Sequence, residues 1–183
     1  MKLPPSRARQ TLLLLPLFLS ACAFAVFARS PRQIPFDESA FAAYARPGSG
    51  SVVGQLIATD EGNSYPGEGV PITLVPVTAY TREMVERELG EGVTLTPSDS
   101  RFKKYVRITT ADHQGNFAFH QIPAGEYFVA GEASWAETGS SDAYVHQWAC
   151  ERVKVRNGQT VRIQVTHNPQ HGNSPVNNLW TLE

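Results

Sequence analysis

An all-β fold is what this sequence predicts: an antiparallel sandwich with one short helix inserted between strands. Three observations point to it. Beyond residue 50, apolar side chains recur at every second position in seven short runs. Gly, Pro, Asn and Asp separate those runs. One stretch alone, Tyr80–Leu89, carries helical spacing instead. Alternation of this kind puts one face of each strand on a core and the other in water. Short strands at regular spacing with turn signals between them suit two stacked sheets.

The elements follow in order. Val53, Gln55 and Ile57 alternate with Val52, Gly54, Leu56 and Ala58. Val70, Ile72 and Leu74 share a face opposite Thr73. Val106, Ile108 and Thr110 alternate with Tyr105, Arg107 and Thr109. Phe117 and Phe119 alternate with Asn116, Ala118 and His120. Tyr127, Val129 and Gly131 alternate with Phe128 and Ala130. Val153 and Val155 flank Lys154, and Val161, Ile163 and Val165 alternate with Arg162, Gln164 and Thr166. The turns agree. Asp112-His113-Gln114-Gly115 joins two strands, with Gly115 free to take a positive φ. Pro123-Ala124-Gly125 does the same before Tyr127, and Asn157-Gly158 is a strong hairpin signal.

Tyr80–Leu89 reads as the inserted helix. Thr81 is its expected cap, and Arg82/Glu86 and Glu83/Arg87 are i,i+4 pairs. Tyr80/Met84 and Val85/Leu89 give it apolar contacts, and Gly90 and Gly92 stop it. Residues 93–103 return as a loop. A second long loop, Ala136–Ala149, carries Tyr144, His146 and Trp148. Long loops on a rigid sandwich are where binding usually resides.

Composition narrows the function classes. The 183 residues are 42% apolar and 18% charged, and the net charge is −1. That balance excludes a strongly basic nucleic-acid binder. Two cysteines exclude a disulfide-dense scaffold and a multi-cysteine zinc module.

The N-terminus predicts an address. Lys2, Arg7 and Arg9 precede an apolar run from Leu12 to Leu19, and small residues follow. This is the layout of an export signal over residues 1–21. Leu19-Ser20-Ala21-Cys22 resembles the lipobox at which bacterial lipoproteins are cut and acylated. That resemblance implies that Cys22 becomes the first residue and carries lipid, which makes the membrane a partner. Two alternatives stay open. Val26-Phe27-Ala28 fits an ordinary signal-peptidase cut that would release the chain, and Leu12–Ala28 sits at the lower length limit for an uncleaved span. Loss of residues 1–21 removes three cations and no acid, leaving 13 basic and 17 acidic residues and a net charge of −4. With Cys22 lipidated, Cys150 has no internal partner and reads as a half-buried small hydrophobe.

Residues 22–50 read as a tether. Pro31, Pro35, Pro47, Gly48 and Gly50 break it up, with a short helix expected around Glu38–Tyr44. The sandwich is expected over residues 51–168, followed by a tail, 169–183.

Four segments carry a family resemblance. They are Gly54-Gln55-Leu56, the Gly67–Leu74 run, Thr110–Phe119, and Ile122-Pro123-Ala124-Gly125-Glu126-Tyr127-Phe128-Val129. Together they resemble carboxypeptidase regulatory-like domains over roughly residues 50–167. The most specific stretch is Asp112–Val129. The resemblance implies a transthyretin-like, seven-stranded Greek-key sandwich acting as a non-catalytic accessory or adhesive module in exported proteins. The Tyr80–Leu89 insertion departs from the family's shortest members.

Candidate chemistry is sparse. His113, His120, His146, His167 and His171 lack metal-ligand spacing, and Pro169 keeps His167 and His171 off one helical face. Asp37-Glu38 and Asp60-Glu61 read as solvated acids, and Asp112 as a side chain bonding its own turn. No cofactor is expected. Two enzymes of related fold are the alternative, a transthyretin-like hydrolase and a non-haem iron dioxygenase. The hydrolases end in Tyr-Arg-Gly-Ser, whereas this sequence ends Asn178-Leu179-Trp180-Thr181-Leu182-Glu183. Tyr and His for the dioxygenase iron are present without recognisable spacing. Arg101, Lys103, Lys104 and Arg107 read as a charged edge-strand face rather than a nucleic-acid site. Trp135, Tyr144 and Trp148 are the candidate stacking surface for sugar or peptide. The expectation is a membrane-anchored, non-catalytic sandwich in the cell envelope that binds an envelope protein or polysaccharide.

Overall fold

The computed structural model describes residues 29–60, 62–136 and 144–166. Within them lie eight strands: β1 Gly50–Asp60, β2 Asn63–Pro66, β3 Pro71–Pro76, β4 Arg107–Thr110, β5 Asn116–Ile122, β6 Gly125–Ala136, β7 Tyr144–Val155 and β8 Thr160–Thr166. The helical elements are a 3₁₀ helix Glu38–Tyr44, α1 Ala79–Met84 continuing into a π-helical turn Val85–Gly90, and a second 3₁₀ helix Ser100–Tyr105.

Two four-stranded sheets stack, as the alternation predicts. In the first, β1 pairs antiparallel with β2 and β5 and in parallel with β8. The second has the order β4-β3-β6-β7, antiparallel throughout. The sequence predicts seven strands, and β2 is the eighth. Asn63-Ser64-Tyr65-Pro66 has too little alternation to announce itself, but Gly62, at φ +85°, folds it back on β1 from Ile57↔Pro66 to Asp60↔Asn63. The parallel β1–β8 pair, running from Ser51↔Thr160 to Ile57↔Thr166, departs from a purely antiparallel expectation.

Inner faces of both sheets form the main core. Val52, Leu56, Ile72, Leu74, Phe117, Phe119, Ile122 and Val129 are buried there, with Ile163 partly buried against them. Gly115 closes the β4–β5 turn at φ +80°, and a Cβ there would lie 2.4 Å from the Leu56 carbonyl oxygen. The predicted glycine is therefore required twice, by backbone angle and by close approach. Asp112 acts as expected, accepting from the backbone N–H groups of Gln114 at 2.9 Å and Asn116 at 2.8 Å.

A second core lies on the outer face of the second sheet. Phe41, Tyr80, Met84, Leu89, Leu95 and Phe102 pack there against Val75 and Phe128. This corrects the tether reading for residues 30–44. Ser30 pairs with Leu95 as a parallel bridge, and Phe36 stacks on Phe41 with ring centroids 5.2 Å apart. Pro and Gly suggested an open linker, but Phe36, Phe41 and Tyr44 cover the sheet.

The inserted helix also differs from expectation. Thr78, not Thr81, caps α1, and Thr81 returns the bond to the Thr78 backbone as the other half of a capping box. The α-helix ends at Met84, and the π-helical turn carries the chain on to Gly90. Of the two ion pairs expected in this segment, Glu83–Arg87 forms, at 3.2 Å. The basic cluster is divided. Arg101, Lys103 and Lys104 lie in a 3₁₀ helix and Arg107 alone on edge strand β4. Pro97, Asp99 and the Asp99 cap start that helix before the strand begins, so the alternation visible around residue 105 starts later than it reads. Asp99 bonds the Arg101 backbone at 2.9 Å and its side chain at 3.0 Å.

Candidate functional site

β6 and β7 are the longest strands among the described residues, at 12 residues each. They pair in continuous register from Gly125↔Val155 to Ala136↔Tyr144. Tyr144–Ala149, expected in a loop, therefore belongs to a strand. Mixed residues such as His146, Gln147 and Cys150 hide the alternation there, and the Ser, Gly and Asp content of residues 137–143 pulls the reading toward loop.

Strand parity then sorts the three candidate aromatics. Trp135 points inward and is buried, stacked on Tyr65 at 4.9 Å and 12°. Tyr144 and Trp148 point the other way, on the outer face with His146 between them. The structure thus brings Tyr144 and Trp148 to one face and puts Trp135 in the core. Tyr144 is 63% exposed, the most exposed large apolar side chain among the described residues. Trp148 is half-buried against the second core. His146 Nδ1 lies 3.6 Å from Glu132 Oε1 across the ladder. Ser134 and Ala136 beside them are exposed, so this end of the β6–β7 pair presents aromatic, imidazole and carboxylate groups on one face.

Nearer the base of the hairpin, Glu126 pairs with Arg152 and Lys154, and the Arg152 bond holds its carboxyl below the usual range. Cys150 lies beneath the helical layer, where burial pushes its thiol up to about 12. It stays protonated at neutral pH, which suits the expected hydrophobic role.

A buried charged cluster holds residues 30–34 in place, and sequence reasoning missed it. Glu83 accepts from the backbone N–H groups of Gln33 at 2.6 Å and Ile34 at 3.0 Å. Burial pushes that carboxyl up, but these two bonds and Arg87 outweigh it and hold the group below its usual value. Arg32 donates to the Thr96 carbonyl at 2.9 Å and to Ser98 Oγ at 3.1 Å, with its guanidinium 5.0 Å over the Tyr80 ring. Glu88 lies 4.0 Å from Arg32 and accepts from Leu95 N–H at 3.3 Å. Its Oε2 has no hydrogen-bond partner among the described residues. Burial pushes this carboxyl up to about 7.

The other candidates scatter. His120 Nδ1 lies 3.3 Å from Ser51 Oγ, and His113 sits in the β4–β5 turn. Asp37 caps the first 3₁₀ helix through Ser39 N–H. Cys22, His167 and His171 lie outside the described residues, as do Glu61 and the whole predicted signal. No three His, Cys, Asp or Glu side chains among the described residues converge as a metal site requires. No helix among them is long and apolar enough to cross a membrane.

No protein-family model matches the chain, and no curated protein matches it. Solved structures do. An overlay on a candidate carbohydrate-binding protein of Pseudomonas aeruginosa has a TM-score of 0.62 at 26% identity, covering 72% of this chain and 97% of that one. The major pilin subunit of Bacillus cereus overlays with a TM-score of 0.38 at 15% identity, over 67% of this chain and 30% of the pilin. A minor pilin of Streptococcus agalactiae gives 0.34 at 17%, over 68% and 47%. Neither pilin overlay is close enough to bear on function.

Proposed function

We propose that this protein is a non-catalytic carbohydrate-binding sandwich, held at the outer side of a bacterial membrane by lipid on Cys22. The observation that carries the binding half is the overlay on nearly the whole of the Pseudomonas candidate carbohydrate-binding protein. The resemblance of Asp112–Val129 to carboxypeptidase regulatory-like domains supports an accessory role, because that stretch supplies the β4–β5 turn, strand β5 and the start of β6. Tyr144 and Trp148 are the proposed platform. A sugar ring lays its C–H face on an aromatic ring, while hydroxyls reach flanking polar groups such as His146 and Glu132.

Lipid on Cys22 sets the display distance. Ser30 is already fixed to Leu95. About eight residues therefore separate anchor and body, a reach of at most about 30 Å. The sandwich is held close to the bilayer, not on a long stalk.

Two tests address the two halves. Affinity electrophoresis through gels containing soluble neutral polysaccharides is expected to retard the wild-type protein, and Tyr144→Ala to weaken retention about tenfold or more. Equal retention of the variant would move the site elsewhere, and no retention on any neutral polysaccharide would reject the Tyr144 platform. Labelled palmitate is expected to enter the wild-type protein and not Cys22→Ala. Label in the Cys22→Ala protein would reject the anchor.

A further inference from the structure

At one end of the second sheet, beside the two 3₁₀ helices, the chain leaves a cleft of about 140 Å³. That is well below the roughly 300 Å³ of a site for a drug-sized ligand, so it has room for one ring of a longer chain. Tyr44 closes one side, its ring edge-on to Tyr127 at 5.3 Å. Pro123 closes another, and Tyr127 Oη donates to its carbonyl at 2.8 Å, which fixes that wall. Lys104, Tyr105 and Arg107 complete the mouth.

The charge there is unbalanced. Arg107 donates to the His120 carbonyl at 3.1 Å and has no carboxylate within ion-pair distance among the described residues. Glu38 is the acid nearby, and it is shared. Lys104 Nζ and Tyr105 Oη each reach it at 3.3 Å, and Arg101 lies 3.9 Å away. One carboxylate thus faces two cations while Arg107 keeps its guanidinium for a ligand. A guanidinium fork matches a planar carboxylate in geometry and charge.

We infer that this cleft binds an acidic sugar unit of a polysaccharide, its carboxylate on Arg107 and Lys104 and its ring against Tyr44. The inference rests on the carbohydrate-binding reading and adds a second site to it. Tyr127 at the cleft and Ala136 opposite Tyr144 stand at the two ends of β6, roughly 30 Å apart at strand rise. They also differ in strand parity, so the cleft and the Tyr144 platform are separate sites on opposite faces of the sheet.

Calorimetric titration of the full chain with a galacturonic acid trimer, and with a neutral galactose trimer as control, tests it. The acidic trimer is expected to bind about tenfold or more tightly than the neutral one. Arg107→Gln is expected to lose that advantage. Lys104→Gln changes a side chain that is 64% exposed, so it leaves the fold intact, and it is expected to lose about threefold. Binding should weaken as salt rises from about 0.01 to 0.15 M, over which the screening length falls from about 30 to 8 Å. Equal binding of both trimers, or Lys104→Gln and Arg107→Gln titrating as wild type, would overturn the inference. So would inorganic phosphate displacing the trimer with equal affinity, because the site would then read a bare anion. The two sites fail separately. Gel retention that depends on Tyr144, with no preference between trimers, removes the cleft alone. Charge-dependent trimer binding with no retention on neutral gels removes the Tyr144 platform alone.

Discussion

Phe41→Ala is expected to destabilise the protein by about 3–5 kcal/mol, read as a shift in the urea unfolding midpoint. Phe41 is fully buried, with ring centroids 4.8 Å from Tyr105 and 5.8 Å from Phe102. Removing the ring leaves a void among packed aromatics, and Phe36, Phe102 and Tyr105 each lose a ring partner. A change within about 0.5 kcal/mol, the usual effect at an unpacked surface position, would mean that residues 30–44 are a tether after all. The side chain comes from a segment whose proline content argues for an open linker. The experiment therefore asks whether the outer layer is part of the folded body.

Glu88→Gln is expected to flatten the dependence of stability on pH and to stabilise the protein above neutrality. Burial raises this carboxyl to about 7 from an ordinary 4.5, against the pull of Arg32 and Arg87, with Glu83 adding to the rise. The folded chain thus holds the proton more tightly than the unfolded chain does. The stabilising contribution is complete below about 4.5 and is lost as pH rises to 7, a span of about 3 kcal/mol. Glutamine keeps an acceptor for Leu95 N–H and cannot ionise. Asp99, held at about 2 mainly by its bond to Arg101, works in the opposite sense and loses its contribution only on acidification below about 4. Urea unfolding of both proteins across pH 4–8 checks this. Parallel curves would show that Glu88 is not the group responsible.

What the sequence revealed follows from how each residue meets its neighbours. Period-two alternation marks a strand packed on one side, so β1, β5, β6 and β8 were legible from Val52, Phe117, Tyr127 and Val165. The Asp112–Gly115 turn was legible because its requirements are local. β7 was half-visible. Val153 and Val155 alternate over the main core, but the outer face of Tyr144–Cys150 runs from solvent to the helical layer, so its outer residues are polar, aromatic or sulfur-bearing by turns. Trp135 shows the consequence. Grouped with Tyr144 and Trp148 by nearness in sequence, it is separated from them by strand parity, which counts only once both segments are recognised as strands. The second core was illegible for another reason. Its halves, Phe36–Tyr44 and Tyr80–Phe102, meet only through the fold, and Glu83 and Glu88 look like surface charges until residues 30–34 close over them. Arg107 looked like one member of a basic run. Only in three dimensions does it stand apart from Arg101, which pairs with Asp99, and from Lys104, which shares Glu38 with Arg101.

Heteronuclear NMR during titration with a neutral oligosaccharide tests the binding face most directly. Saturable shifts are expected at Tyr144, His146 and Trp148 and at their cross-strand neighbours Glu132 and Ser134, with Trp135 and Tyr65 unmoved beneath the sheet. Shifts confined to the inner face or to the first sheet, or no saturable shift with any oligosaccharide tried, would contradict the Tyr144 platform.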